Sequence, residues 1–205
     1  MRIIAGKFKG RRLKVLKGSR IRPTSDRVRE ALFSILGDKV VGSRVLDLFA
    51  GSGALGLEAL SRGAKEVVFV EKARAAREII RDNIISLGLE KECEFVPGDY
   101  RVALERLGER GTLFDLMLVD PPYRDTEEGE AENILSQIGG SDTLRVNGLV
   151  VIEHFYRAKI LLPDHSWKII KFKKYGRSCL TILTGEWGMG NGEWGMGNGE
   201  WGMGR

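Results

Sequence analysis

Cysteine and histidine are scarce, with two of each in 205 residues. Cys93 and Cys179 stand alone, without a CxxC pair or a nearby histidine cluster. That spacing argues against a zinc site and against a disulfide framework. Two isolated, reduced thiols fit a cytoplasmic protein with no metal. Long apolar runs are also missing: no stretch approaches the roughly 20 residues that a membrane span requires. The opening residues, Met1-Arg2-Ile3-Ile4-Ala5-Gly6, turn basic too soon to hold the apolar core of a secretory leader. The length suits one good-sized domain with an appendage, expected to be monomeric.

Negative charge is missing from one place in particular. Residues 1–29 carry eleven Lys or Arg and a single acid, Asp26. The rest of the chain holds 22 basic and 27 acidic side chains, so the net charge of +5 comes from an N-terminal arm. Charge clustered in this way is a footprint for a polyanion. Ile3, Ile4, Phe8, Leu13, Val15 and Leu16 interleave with the cations, and disordered charge runs lack such residues.

Arg2 to Leu16 therefore reads as a small hairpin of two short strands around Gly6-Lys7-Phe8-Lys9-Gly10. After Pro23-Thr24-Ser25-Asp26, the residues Val28, Ala31, Leu32, Ile35 and Leu36 repeat at helical spacing, with Arg27 and Arg29 off that stripe. From residue 44, strands and helices alternate. The strands are read at Arg44–Phe49, Glu66–Glu71, Cys93–Val96, Phe114–Val119 and Gly148–His154. The helices between them are read at Ala54–Ser61, Ala73–Leu87, Tyr100–Leu107 and Glu127–Ile138. Nearly continuous apolar runs such as Val67–Val70 and Leu116–Val119 indicate strands covered on both faces, as in a parallel α/β sheet. Trp167–Lys173 and Ser178–Thr184, on either side of Tyr175-Gly176-Arg177, predict a closing antiparallel hairpin. From Gly185 the chain becomes a repeat of Gly-Glu-Trp-Gly-Met-Gly-Asn, too rich in glycine to pack a core. The organisation expected is an arm over residues 1–23, a domain over 24–184 and a low-complexity tail over 185–205.

The strand ends carry the chemistry. Asp47-Leu48-Phe49-Ala50-Gly51-Ser52-Gly53-Ala54-Leu55-Gly56 joins the first sheet strand to a helix. Gly51, Gly53 and Gly56 satisfy GxGxxG, and Glu71 follows twenty residues after Gly51, where a ribose-binding acid belongs. This pattern alone leaves NAD and S-adenosylmethionine both open. Asp47 opposes a pyrophosphate but suits a sulfonium and an amino group. Asp99 stands where the amino group of an adenine could be held. Asp120-Pro121-Pro122-Tyr123 ends the fourth strand with a carboxylate, carbonyls that have no N–H beside them, and an aromatic ring. Ionised Asp and Pro accept hydrogen bonds and donate none, so the segment suits a flat base bearing an exocyclic amino group. Acids at four successive strand ends line the crevice where open α/β sheets bind ligands. His154, after Glu153, reads as a satisfied strand-end residue.

These segments resemble the bacterial 16S rRNA guanine-N2 methyltransferase family. The matching stretches are Arg2-Ile3-Ile4-Ala5-Gly6, Gly10-Arg11-Arg12-Leu13, Arg22 through Phe33, Asp47 through Gly63, and Asp120-Pro121-Pro122-Tyr123. The resemblance runs from residue 2 to about residue 184 and omits the tail. It implies a Rossmann-like class I methyltransferase fold with a seven-stranded, mostly parallel sheet and an N-terminal hairpin-helix extension. It also implies S-adenosylmethionine as donor and a guanine 2-amino group of an assembling 30S particle as acceptor, the family target being guanine 966. Carried over residue by residue, Asp120, Pro121 and Tyr123 would act on the base. Asp47, Gly51, Gly53, Glu71, Asp99 and Thr24 would hold the cofactor. Arg11, Arg12, Arg22, Arg27 and Arg29 would meet RNA, with an ion-pair role for Arg22 and Arg29 left open. Transfer to DNA adenine or to another RNA base, or hydride transfer with NAD, are the competing readings.

Overall fold

The computed structural model describes residues 1–15, 25–122, 129–158 and 160–185. Expectations that fall on Arg22, Thr24, Tyr123 and the repeat tail lie outside those residues. The elements run α1 (Asp26–Leu36), a 3-10 turn (Gly37–Val40), β1 (Arg44–Asp47), α2 (Ala54–Ser61), β2 (Glu66–Glu71), α3 (Arg74–Leu87) and β3 (Cys93–Pro97). Then follow α4 (Tyr100–Glu109), β4 (Phe114–Val119), α5 (Glu130–Gly139), β5 (Leu144–Phe155), β6 (Trp167–Tyr175) and β7 (Ser178–Gly185).

One sheet holds seven strands in the order β3-β2-β1-β4-β5-β7-β6. β3, β2, β1, β4 and β5 are parallel to their neighbours, and β7 lies antiparallel between β5 and β6. Strands covered on both faces explain the apolar runs: Val67 to Val70 and Leu116 to Val119 are all buried. One face packs against α1, α2 and α3 through Val45, Phe69, Leu118, Ile80 and Leu32. The other packs against α4 and α5 through Leu46, Val70, Val119, Leu104 and Ile134. Among the described residues, no helix is long and apolar enough to cross a membrane.

Three local differences from the sequence reading have physical causes. The arm is a hairpin joined by one antiparallel bridge, Arg2 to Arg12, instead of two regular strands. Its backbone donors turn to α2 instead: Lys7 N–H donates to Ser61 O at 2.7 Å and Phe8 N–H to Ser61 Oγ at 3.0 Å. Second, β5 begins at Leu144 because a register shift between Phe114 and Leu116 accommodates Asn147 at φ +64°. Third, the buried sector of α1 takes in Val28, Arg29, Leu32, Phe33 and Leu36, so Arg29 lies inside it. Ser25 caps that helix by accepting from Val28 N–H.

Candidate active site

The sheet order reverses at β1. Two crossovers lead outward to β2 and β3, and the next strand, β4, returns to the other side of β1. Open α/β sheets bind ligands in the crevice above such a switch point, at the carboxyl ends of the strands. Asp47 ends β1, Glu71 ends β2, Asp99 follows β3 and Asp120 follows β4. Leu118 sits in register with Asp47, and Leu48 N–H donates to Leu118 O at 2.9 Å. Asp120 therefore emerges beside the glycine loop. It is half-buried, Pro121 is buried and Pro122 half-buried.

The loop is held from both sides. Ala50 N–H donates to Val70 O, and Gly53 N–H closes a turn onto Ala50 O. Gly51 and Gly53 take φ of +54° and +79°, a region that favours glycine. Gly56 is needed for a different reason. A Cβ there would lie 2.4 Å from Phe69 Cε1, so its hydrogen lets α2 settle onto β2. This packing demand exists whatever ligand the loop holds.

The acids differ in their surroundings. Asp47 is 1% exposed. Its Oδ2 accepts from Gly56 N–H at 3.0 Å, whereas Oδ1 is buried with no hydrogen-bond partner. Burial pushes its carboxyl up to about 7, the Gly56 N–H opposes that rise, and the charge of Glu71 adds to it. Glu71 spans two backbone donors, Gly51 N–H at 2.9 Å and Ala73 N–H at 2.7 Å, and so pins the loop to the end of β2. Asp99 Oδ1 caps α4 by accepting from Arg101 N–H, with its side chain 36% exposed. An orphaned, buried carboxylate oxygen together with acidic strand ends fits a ligand that is cationic at one end and rich in donors. Phe49 and Tyr100 pack in a tilted pair beside the loop at a centroid distance of 5.1 Å, and Tyr100 O–H donates to Glu130.

The predicted RNA contacts divide into two groups. Arg12 and Arg27 are exposed, and Arg11 is exposed while donating to Ser86 O at 2.9 Å. Arg29 is corrected: it is fully buried, so RNA cannot reach it. Its Nη2 donates to Arg2 O at 2.6 Å and to Asp26 at 2.9 Å, and its Nε lies 3.7 Å from Glu58. Desolvation lowers its pKa against the opposing pull of Glu58 and Asp26.

Glu58 and Asn83 escaped the sequence reading. Glu58, also fully buried, accepts from Ile4 N–H at 2.7 Å, Ala5 N–H at 3.0 Å and Arg62 Nε at 2.8 Å. Its signal was present as one acid inside the apolar helix Ala54–Leu60, since a lone buried charge demands partners. Asn83 accepts from Lys14 N–H and donates to Lys14 O and Ser52 O, tying the arm to the glycine loop. His154 is buried, desolvation lowers its pKa, and its Nε2 lies 2.9 Å from Thr181 Oγ1, a satisfied strand-end residue. Among the described residues, no group of three His, Cys, Asp or Glu is placed to hold a metal.

Known proteins resemble this chain over most of its length. The family described as conserved hypothetical protein 95 matches residues 1–184. A Haemophilus influenzae ribosomal RNA small subunit methyltransferase D is 35% identical over 176 residues, covering 86% of this chain and 89% of its own. The Escherichia coli protein of the same name is 34% identical over 181 residues, covering 86% of each chain. A hypothetical protein from Thermus thermophilus superposes with a TM-score of 0.75 at 32% identity, over 89% of this chain and 98% of that one. SMU.776, solved in complex with SAH, shares only the fold at 16% identity and a TM-score of 0.60. The family model spans nearly all of the chain outside the repeat tail, and the chain belongs to the conserved hypothetical protein 95 family.

Proposed function

We propose that this protein transfers a methyl group from S-adenosylmethionine to the exocyclic 2-amino group of a guanine in 16S rRNA. The carrying observation is the emergence of Asp120-Pro121-Pro122 beside the glycine loop at the sheet's switch point, in a chain whose relatives are small-subunit rRNA methyltransferases.

The bound cofactor supplies a methyl group on a sulfonium, already activated toward a nucleophile. Asp47 Oδ1 offers a buried negative acceptor to its cationic end, with Gly51 and Gly53 allowing close backbone approach. Glu71 offers carboxylate oxygens to the ribose hydroxyls, and Asp99 accepts from the adenine amino group. Thr24 would join them at the cofactor, as the family resemblance implies.

A guanine 2-amino nitrogen is a poor nucleophile because its lone pair is delocalised into the ring. Asp120 and the Pro121 carbonyl would accept its two N–H bonds and favour a pyramidal nitrogen whose lone pair faces the methyl group. Tyr123 would stack on the base, an interaction worth about 1–3 kcal/mol. The chain thus contributes alignment above all. The surplus proton passes to Asp120 or to water. Such a pocket requires an unstacked base. Arg11, Arg12, Arg22 and Arg27 would bear on RNA phosphates, and Arg29 serves the arm from within. The protein would work as a cytoplasmic monomer on an assembling 30S particle.

Tritiated methyl transfer onto 30S particles from a strain lacking the enzyme, with the labelled base mapped, tests the proposal. Label on a guanine N2 of 16S rRNA is expected, and label elsewhere would overturn the assignment. Calorimetry should also show binding of S-adenosylmethionine; tighter binding of NAD would end this reading.

A further inference from the structure

The arm is not the whole of the basic surface. Residues 156–177 carry seven Lys or Arg against one acid, Asp164. Most of this charge lies on β6, the edge strand of the sheet. We propose that the carboxyl end of β6, with the turn after β5, is a second RNA-contact surface that grips single-stranded rRNA beside the target base.

Register places this surface. Val119 pairs with Ile152, Ile152 with Thr181, and Thr181 with Phe172. Phe172 thus lies in the same row as the residue before Asp120, three strand spacings away, or about 14 Å. β6 runs antiparallel to β7 and β7 antiparallel to β5, so β6 points the same way as β4. Lys173 and Lys174 therefore stand at the sheet end that bears Asp120.

The chemistry fits RNA and little else. Phe172 is 55% exposed and rests its ring against His154 at a centroid distance of 6.2 Å. Tyr156 is also exposed, with Lys174 Nζ 4.6 Å and Arg157 Cζ 5.4 Å from its ring centre. Arg177 joins them through its carbonyl, which accepts from Tyr156 N–H at 2.9 Å. Lysines on an edge strand can serve only to block pairing with another sheet. That purpose explains neither the open phenyl ring nor the cations gathered from the β5 turn. Cations that follow a backbone, interleaved with aromatic faces for bases, are how proteins hold unpaired strands. The proposal rests on the rRNA reading above and adds a second contact on the far side of Asp120 from the arm.

Lys174→Gln with Arg157→Gln, the two cations at the Tyr156 ring, and Phe172→Ala separately, test it in the full chain with a 16S rRNA fragment spanning the methylated base. Removing two phosphate contacts should lower the slope of log affinity against log salt by about 1.4, from about 0.7 per contact on single strands. Phe172→Ala should weaken binding about 5- to 160-fold, the range for one stacked base. S-adenosylmethionine affinity should not change, because these residues lie away from the glycine loop. An unchanged slope and affinity in both variants, while charge reversal at Arg12 and Arg27 weakens the same RNA, would overturn the second surface and leave rRNA as substrate. Loss seen only on 30S particles and not on the fragment would also overturn it, by assigning the surface to a ribosomal protein. Failure of the wild-type chain to bind rRNA at all would instead strike the functional reading itself.

Discussion

Asp47 should make the protein less stable than its asparagine variant, and by an amount that depends on pH. Its carboxyl is pushed from an ordinary 3.8 to about 7, a rise of about 3 units. At 1.36 kcal/mol per unit this is worth up to about 4 kcal/mol. The folded pKa lies above the unfolded one, so the folded state holds the proton more tightly. Asp47 therefore costs almost nothing below pH 4. Its cost grows as the pH rises through the interval from about 4 to about 7 and is complete above that. Asp47→Asn keeps an acceptor for Gly56 N–H and has nothing to ionise. Urea unfolding of both proteins from pH 4.5 to 8 should show the variant's advantage widening with pH, toward an upper limit of about 4 kcal/mol. The same substitution should weaken S-adenosylmethionine binding about 10- to 100-fold, the loss of one hydrogen bond to a charged group. A stability difference that stays constant across the pH range would refute the reasoning, since only a group that titrates can make it vary.

Asp120→Ala should abolish methyl transfer and leave S-adenosylmethionine affinity within a few fold; retained turnover would remove Asp120 from the mechanism. Glu58→Gln leaves Arg29 buried with Asp26 as its remaining counter-charge, so a loss of about 2–4 kcal/mol in urea unfolding is expected. A loss below about 1 kcal/mol would mean that Ile3 and Leu13 hold the arm by packing alone. Gly56→Ala forces a methyl group into Phe69 and Val67, and should cost about 1–3 kcal/mol by thermal unfolding. Arg12→Glu with Arg27→Glu should weaken RNA binding and flatten its salt dependence, because both side chains are exposed on the arm side.

The sheet was legible because buried parallel strands must be apolar throughout: β2 and β4 were read with both ends correct. Helix and strand ends were less so. β1 stops at Asp47, because Leu48 and Phe49 already belong to the turn that carries the glycines. α5 starts at Glu130, three residues after the sequence reading placed it. The positions of the acids at the strand ends followed from alternation alone. Their states did not, since no periodicity says that Asp47 is sealed beneath a loop while Asp99 caps a helix near solvent. Arg29 shows the same limit. A guanidinium one position off an apolar stripe looks solvated until the partner that draws it inward, Glu58, is known to face it. The basic β6 segment was hidden by averaging, because acids elsewhere in the chain outnumber its lysines.

The order of synthesis and the order of the sheet disagree at one point. Among the described residues β7 is the last strand made, yet it occupies an interior position between β5 and β6. Until it arrives, Leu149 to Ile152 present a complete row of unpaired N–H and C=O groups along an apolar strand, the kind of edge that recruits foreign strands. The lysine-bearing β6 cannot shield that edge, because it docks only on β7. Completion of the sheet therefore waits for the emergence of Ser178–Gly185. A chain cut short before Ser178 would keep the cofactor loop and Asp120 but carry a sheet open at its apolar middle.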